Sequence, residues 1–236
     1  MKSNMTRSFS RIILALIISI VIWLVLMILV AGKIDPEWGD LVFLLWIKDP
    51  GLNYYLGYLI GIVFTILTIM FFGGLYAFLR RKTHSLTLWI AILFVPIYGV
   101  INLLVYSSQL LFVPQLIQSY SDQIADVRIS MYLLQMIQLR AGSFMAYSSS
   151  LAYLILGIPS VIFGILLLKS HYTAKFAGSF LILYAVSCLL GVTGSALGNK
   201  FLSMGTMAGV VFFLIAMIFL FAYTRLKGQA KHDLPD

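Results

Sequence analysis

Few residues of this chain are of the types that carry out acid–base, nucleophilic or metal chemistry. The 236-residue sequence has three histidines, eight acidic residues and one cysteine. His84, His171 and His232 all fall in predicted loops or the tail, so no apolar stretch offers a histidine pair to a haem or a base to a serine. Ser195 follows Gly194 without a base nearby, and we interpret it as a packing residue. The sequence therefore predicts no catalytic residue, no metal site and no cofactor.

Six long apolar stretches, none with a charged residue, make up more than half of the chain. They are approximately residues 12–32, 55–79, 85–113, 141–168, 176–199 and 201–224. Each is long enough to cross a bilayer core of about 30 Å as a helix. Hydrophobic residues make up 61% of the chain and charged residues only 10%, whereas a soluble domain carries about 25% charge. We expect an all-α polytopic membrane bundle of six transmembrane helices, forming a single domain over residues 1–236.

The distribution of basic residues predicts the orientation. Eleven of the sixteen Lys and Arg residues lie in the N-terminal tail, the second-to-third connection, the fourth-to-fifth connection and the C-terminal tail. Basic residues concentrate on the cytoplasmic side of membrane proteins, so both termini are expected there. The net charge is +8, and the basic residues that produce it lie beside span ends, where they meet lipid headgroups. We therefore predict membrane lipids, not nucleic acid, as partners. We expect a multi-pass protein of the plasma membrane, specifically a bacterial inner membrane.

Two longer connections lie on the opposite side. In the first, the apolar run 41–47 predicts a short interfacial helix with Trp38 and Trp46 as anchors. In the second, residues 114–140, apolar side chains recur at a spacing of three to four, which predicts an amphipathic helix. Its apolar positions are Ile117, Tyr120, Ile124, Val127, Met131 and Leu134. Either connection could cover a ligand pocket, but we favour packing or lipid contact as the role of both.

Short polar clusters lie at span ends on this same side of the predicted bundle. Five residues could form a hydrogen-bonding mouth for a small or amphiphilic ligand: Tyr106, Ser107, Gln109, Tyr147 and Ser148. The alternative is that they solvate the ends of spans. Asn102, an amide well inside the third span, is expected to bond a neighbouring helix.

Glycines at four-residue spacing indicate close helix packing. The residues assigned to packing are Gly57, Gly61, Gly191, Gly194, Gly198, Gly205 and Gly209. Small residues let helix backbones approach where lipid provides no hydrophobic drive. Pro96 and Pro159, inside the third and fourth spans, are expected to kink them.

The segment Gly164–Phe180 reads GILLLKSHYTAKFAGSF. In its spacing of Gly164, Ser170, Lys175 and Gly178 it resembles a turn in bacterial small multi-span membrane proteins that are grouped as a domain of unknown function. The family pattern has a proline where this chain has Ala174. The resemblance implies a short cytoplasmic hairpin and a bacterial inner-membrane origin, and it brings no activity and no functional residues.

Three hypotheses for the function remain open from the sequence. The first is a non-catalytic binding, accessory or transport-associated helix bundle, with a membrane protein as a possible partner. The second is a carrier for a neutral or lipid-like solute. The third is an interfacial lipid-modifying enzyme, whose candidate residues are Asp122, Asp126, Arg128 and Arg140 on one side, or His84 and His171 on the other.

Overall fold

The structure, a computed structural model, describes residues 2–35, 38–80, 86–170 and 172–229, with side chains from Arg7 to Leu226. Within these ranges all regular secondary structure is helical. The α-helices are α1 (Lys2–Ala31), α2 (Asp40–Lys48), α3 (Leu52–Arg80), α4 (Leu86–Ser107), α5 (Val113–Ser119), α6 (Val127–Gln135), α7 (Phe144–Leu168), α8 (Tyr172–Ala196), α9 (Lys200–Ser203) and α10 (Gly205–Gln229). A π-helical turn, Ser108–Phe112, joins α4 to α5, and a 3-10 turn, Ser121–Gln123, lies between α5 and α6.

Six helical segments of the described chain are long and apolar enough to cross a membrane. They are Arg7–Ala31, Leu52–Arg80, Leu86–Ser119, Phe144–Leu168, Tyr172–Ala196 and Lys200–Leu226. The predicted all-α bundle with six transmembrane helices is therefore confirmed, and the protein is a multi-pass membrane protein. The third segment runs six residues beyond its predicted end because the π-helical turn continues the helix instead of ending it.

The predicted amphipathic helix at residues 114–140 is helical, but in two pieces. Pro114 stands in the first turn of α5, where a missing backbone N–H is tolerated. Helix α5 ends at Ser119. The Asp126 carboxylate then caps α6 by accepting from the backbone N of Arg128 at 2.8 Å. Because α5 and α6 are separate helices, the predicted apolar residues do not all lie on one buried face. Ile117, Ile124 and Leu134 are buried, whereas Tyr120, Val127 and Met131 are exposed.

The described residues group into two compact units that interleave along the chain. Unit 1 comprises Met1–Ile18, Ile66–Gly99 and Ser150–Asp236, and unit 2 comprises Ser19–Thr65 and Val100–Ser149. The prediction of a single domain stays a prediction.

Unit 1 is held together by aromatic rings and by glycine contacts. The ring of Phe72 lies 5.7 Å from that of Phe163 and 6.3 Å from that of Phe213, measured between centroids. Helices α8 and α10 approach so closely that a Cβ added to Gly205 would lie 2.7 Å from the backbone N of Gly191. Such an approach is possible only where side chains are absent.

Gly198 does not take part in this packing, which differs from its assignment by sequence spacing. Its φ is +66°, and no described atom lies within 4 Å of the position that a Cβ would occupy. The residue follows the end of α8 in the left-handed conformation that favours glycine at a helix C-terminus. Asn199 then caps α9 by accepting from the backbone N of Phe201 at 3.1 Å. Gly198 turns the chain, and it does not admit a neighbouring helix.

Unit 2 has its own hydrophobic core. Its buried members are Val30, Phe43, Leu44, Ile47, Tyr54, Tyr58, Val105, Tyr106, Val113, Ile117, Ile124, Leu133, Leu134, Ile137 and Met145. The short helix α2 packs against α5 and α6 in this core. Trp38 and Trp46, the predicted anchors, have ring centroids 6.2 Å apart. The two long connections are therefore folded parts of unit 2.

Candidate functional site

Gln109, in the π-helical turn, is the centre of a buried hydrogen-bond network in unit 2. Its side chain is fully buried. Nε2 donates to the backbone O of Met136 at 2.7 Å and to Ser108 Oγ at 3.3 Å. Oε1 accepts from the backbone N of Gln138 at 3.1 Å and from the Tyr54 hydroxyl at 3.3 Å. An amide can make two donor and two acceptor bonds, so the hydrogen-bonding capacity of Gln109 is fully used.

The π-helical turn explains how Gln109 reaches these partners. The backbone N of Val113 donates to the O of Ser108, five residues earlier, whereas an α-helix bonds four residues apart. The wider turn aims the amide of residue 109 at the connection between α6 and α7. That connection is fastened further by Ser143, whose Oγ donates to the backbone O of Ile137 at 2.7 Å. Turns of this kind inside α-helices are frequent at functional sites.

The other residues of the predicted mouth have different environments. Tyr106 is fully buried, with its ring 6.0 Å from that of Tyr58 between centroids. Ser107 Oγ donates to the backbone O of Leu103 at 2.5 Å, and Ser148 Oγ donates to that of Phe144 at 2.9 Å, so both bond within their own helices. Tyr147 is exposed. A ligand mouth built from these five residues stays a prediction, and Gln109 would enter it only by giving up a bond that it already makes.

A second group of polar side chains in unit 2 consists of Trp23, Tyr58 and Asn102, which we call the polar trio. Trp23 on α1 has an exposed fraction of 5%, and Tyr58 on α3 and Asn102 on α4 are at 0%. The indole Nε1 of Trp23, the Tyr58 hydroxyl and the Oδ1 of Asn102 are all buried, and none has a hydrogen-bond partner among the residues that the structure describes. A buried polar atom without a partner costs about 1–3 kcal/mol. Gln138 Oε1 is a fourth such atom in unit 2.

The orientation of the Asn102 amide is fixed by a chain of hydrogen bonds on α3. Thr65 Oγ1 donates its one proton to the backbone O of Gly61 at 2.8 Å. It can then only accept from Asn102, whose Nδ2 lies 3.4 Å away. The amide must therefore present its NH₂ group to Thr65, which leaves Oδ1 as the unpartnered atom. The predicted bond from Asn102 to a neighbouring helix is present.

Gly61 packs tightly against the side chains of Tyr106 and Trp23. A Cβ at this position would lie 3.0 Å from the ring of Tyr106 and 3.2 Å from Nε1 of Trp23. Tyr58 precedes Gly61 by three residues, and Thr65 follows Gly61 by four, so the three residues share one face of α3. Gly57 lies one turn away, and a Cβ on it would lie 3.2 Å from Sδ of Met27. Gly61 is thus both a packing residue and the neighbour of an unpartnered donor.

Sequence reasoning identified Asn102 but missed Trp23 and Tyr58. A signal was present for Trp23, because the residue lies at the middle of the first predicted span, whereas tryptophan in membrane helices concentrates at the interfaces. Tyr58 lies near the start of the second predicted span, where an aromatic residue is expected at the interface and gives no sign of burial. Its burial depends on Tyr54 and Tyr106, whose contacts with it no spacing in the sequence reveals.

Two of the charged residues considered for interfacial chemistry, Arg140 and Asp126, make structural contacts. Arg140 Nη2 lies 2.6 Å from Asp40 Oδ1, with both side chains well exposed, and this ion pair ties the start of α2 to the chain before α7. Asp126 serves as the cap of α6. Among the described residues no group of three His, Cys, Asp or Glu side chains is placed to hold a metal ion. His84, His171 and His232 lie outside the described residues.

No family model, curated protein or solved structure matches this chain.

Proposed function

We propose that this protein is a non-catalytic binding or accessory module of the plasma membrane, with unit 2 as its recognition part. The observation that carries the proposal is the Gln109 network. Four hydrogen bonds to one buried amide fasten the α6–α7 connection to the π-helical turn and to α3. Recognition surfaces are commonly connecting segments held by a rigid scaffold, and here the connections have become part of a packed core.

The buried polar groups of unit 2 also suit recognition of an uncharged molecule. The polar trio offers an amide, a hydroxyl and an indole group, all of which are neutral. An ion placed among such groups would lack a countercharge, which is costly in a membrane. A neutral or amphiphilic ligand is therefore the class that we propose.

The proposed orientation has both termini in the cytoplasm, and it rests on the excess of basic residues in the tails and in two connections. In that orientation α2, α5 and α6 lie on the outer side. The proposed bacterial inner-membrane origin rests on the resemblance of Gly164–Phe180 to the family turn. In the structure, Gly164 and Gly178 face each other closely, since a Cβ on Gly178 would lie 2.6 Å from the O of Gly164.

The experiment is mass spectrometry of the molecules that co-purify with the protein from its native membrane. A second six-span protein, extracted and purified identically, is the control for bulk lipid. We expect a neutral molecule enriched at least about tenfold over the control. Lipids in the same proportions as the control, with no enriched molecule, would remove the binding proposal.

A carrier for a neutral or lipid-like solute is the second candidate, and the π-helical turn favours it. The turn continues α4, the helix that also contains Pro96 and Asn102. Irregular turns within helices are frequent at functional sites. Uptake of the co-purified molecule into proteoliposomes tests this candidate, and binding without flux would favour the module over the carrier.

A further inference from the structure

We propose that Arg80, Tyr76 and Trp89, where α3 ends and α4 begins, form a binding site for the phosphate group of an anionic membrane lipid. We call these three residues the arginine site. All three belong to unit 1, so this inference is independent of the recognition function proposed for unit 2.

The three side chains of the arginine site converge. The Cζ of Arg80 lies 5.3 Å from the centroid of the Trp89 ring and 5.9 Å from that of the Tyr76 ring. The two rings also contact each other, at 5.4 Å between centroids. Tyr76 precedes Arg80 by one turn of α3, and Trp89 lies in the first turn of α4. The guanidinium is therefore held against aromatic rings of two helices by cation–π attraction.

The guanidinium of Arg80 keeps its capacity to donate hydrogen bonds. Its five N–H groups point outward in the plane of the group, whereas the ring contacts involve the positive charge itself. The side chain is exposed, and it makes no ion pair or hydrogen bond with the residues that the structure describes. A planar fork of N–H groups is the geometry that binds two oxygens of one phosphate.

Unit 1 offers this cation no carboxylate. Twelve of the sixteen Lys and Arg residues fall in the three segments of unit 1, whereas only two of the eight acidic residues do. Those two, Asp233 and Asp236, lie outside the described residues. The remaining basic residues, all in unit 2, are Lys33, Lys48, Arg128 and Arg140. An anionic partner for Arg80 in the described part of this unit therefore has to be a separate molecule.

The position of the arginine site favours a lipid as the source of the phosphate. Arg80 is the last residue of the second membrane-spanning segment, and Trp89 lies near the start of the third. Tryptophan concentrates where span ends meet lipid headgroups, and the Trp89 side chain is 51% exposed. A zwitterionic lipid carries the same phosphate, but its own ammonium group neutralises it. A lipid with a net negative charge is therefore the expected ligand class.

The fluorescence of Trp89 reports directly on a lipid at this site, because brominated acyl chains quench tryptophan on contact. The protein is reconstituted in phosphatidylcholine bilayers that contain brominated phosphatidylglycerol or, as the control, brominated phosphatidylcholine. The signal of the wild type minus that of Trp89→Phe isolates Trp89 from the other three tryptophans. If Trp89→Phe does not fold, the variant with Trp23, Trp38 and Trp46 all changed to Phe leaves Trp89 as the one tryptophan.

We expect phosphatidylglycerol to bind beside Trp89 about fivefold more tightly than phosphatidylcholine, the factor that one basic residue contributes near an anionic surface. Arg80→Gln should remove this preference. Arg80→Lys keeps the charge but not the planar fork, and it should reduce the preference at least about twofold. The matched control is Lys169→Gln, which removes an equal charge from an exposed lysine of unit 1 that contacts no described aromatic ring. This control should leave the preference unchanged.

Three results would overturn the site. The first is equal quenching of wild-type Trp89 by the two brominated lipids. The second is a full preference in Arg80→Lys, which would mean attraction between charges without a built site. The third is an equal loss of preference in Lys169→Gln and Arg80→Gln, which would mean a basic surface without a specific position.

Inorganic phosphate in the aqueous phase tests the other source of the same chemistry, with sodium chloride of equal ionic strength as the control. An unchanged preference for phosphatidylglycerol supports the lipid. A preference that phosphate removes and chloride does not would assign the site to a soluble phosphate compound and overturn the lipid as its ligand. This comparison and the comparison of the two brominated lipids need no Arg80 variant, so they stay decisive if those variants do not fold.

Discussion

The amide of Gln109 joins three separate parts of unit 2. It contacts Tyr54 near the start of α3, its own neighbour Ser108, and the backbone of Met136 and Gln138 after α6. Sequence alone places Gln109 in a polar cluster at a span end, as a candidate for a ligand mouth. Its role depends on partners 27 to 55 residues away along the chain, which no local pattern specifies.

Gln109→Leu should destabilise the protein by about 2 kcal/mol, because it leaves the part-buried O of Met136 and N of Gln138 without partners, at about 1 kcal/mol each, the low end of the cost for buried groups. Gln115→Leu, an exposed glutamine on α5, is the matched control and should change stability by less than about 0.5 kcal/mol. Thermal unfolding in detergent, followed by size-exclusion chromatography, measures both. Equal melting temperatures for the two variants would contradict a structural role for the network.

At the scale of helices, the α8–α10 pair depends on the absence of side chains at its crossing. A Cβ on Gly205 would meet the backbone O of Ser187 at 2.5 Å as well as the N of Gly191. Both neighbours are backbone atoms, so no side chain can move aside to make room.

Gly205→Ala should therefore destabilise the protein by about 3 kcal/mol, the upper end of overpacking costs. Gly73→Ala is the control, since alanine in an open helical position is favoured over glycine by about 0.5–1 kcal/mol. The yield of monodisperse protein and its melting temperature are the measurements. A Gly205→Ala protein as stable as the wild type would show that α8 and α10 lie further apart than described.

The sequence predicted some helices more accurately than others. The six spans were predicted to within a few residues, because length, apolarity and freedom from charge are local properties of the chain. The π-helical turn at Ser108–Phe112 was missed, since a change from four-residue to five-residue bonding leaves no mark in composition. The break between α5 and α6 was missed for a related reason, because the apolar spacing runs across it unchanged. Of the buried polar residues, Gln109 and Asn102 could be singled out, since an amide at the end of a span or inside it is visible in the sequence, whereas the burial of Trp23 and Tyr58 is not.

On the scale of the whole molecule, one property makes the proposed orientation easy to test. Cys188 is the only cysteine of the chain, and it is buried. The wild-type protein should therefore react little with thiol reagents that act from water, which gives a clean background for introduced cysteines.

Asp122→Cys and Lys169→Cys place a thiol at exposed positions of a predicted outer and a predicted inner connection. A membrane-impermeant maleimide added to intact cells should label the first and spare the second, while permeabilised cells should show labelling of both. The reverse pattern would show that the protein has the opposite orientation, with α2, α5 and α6 on the cytoplasmic side.

The π-helical turn also gives this stretch of the chain one residue that a regular α-helix would not need. Its hydrogen bond spans five residues instead of four, so the turn holds an extra residue while the helix after it keeps its facing. A lineage that lost one codon between Ser107 and Val113 could close the turn to α-helical bonding and keep Val113 and Ile117 in the core, whereas the Gln109 amide would be displaced from its partners. Inside a regular α-helix the same loss rotates everything after it by about 100°. Natural variation should therefore tolerate a changed length in this turn better than in the α-helices on either side of it.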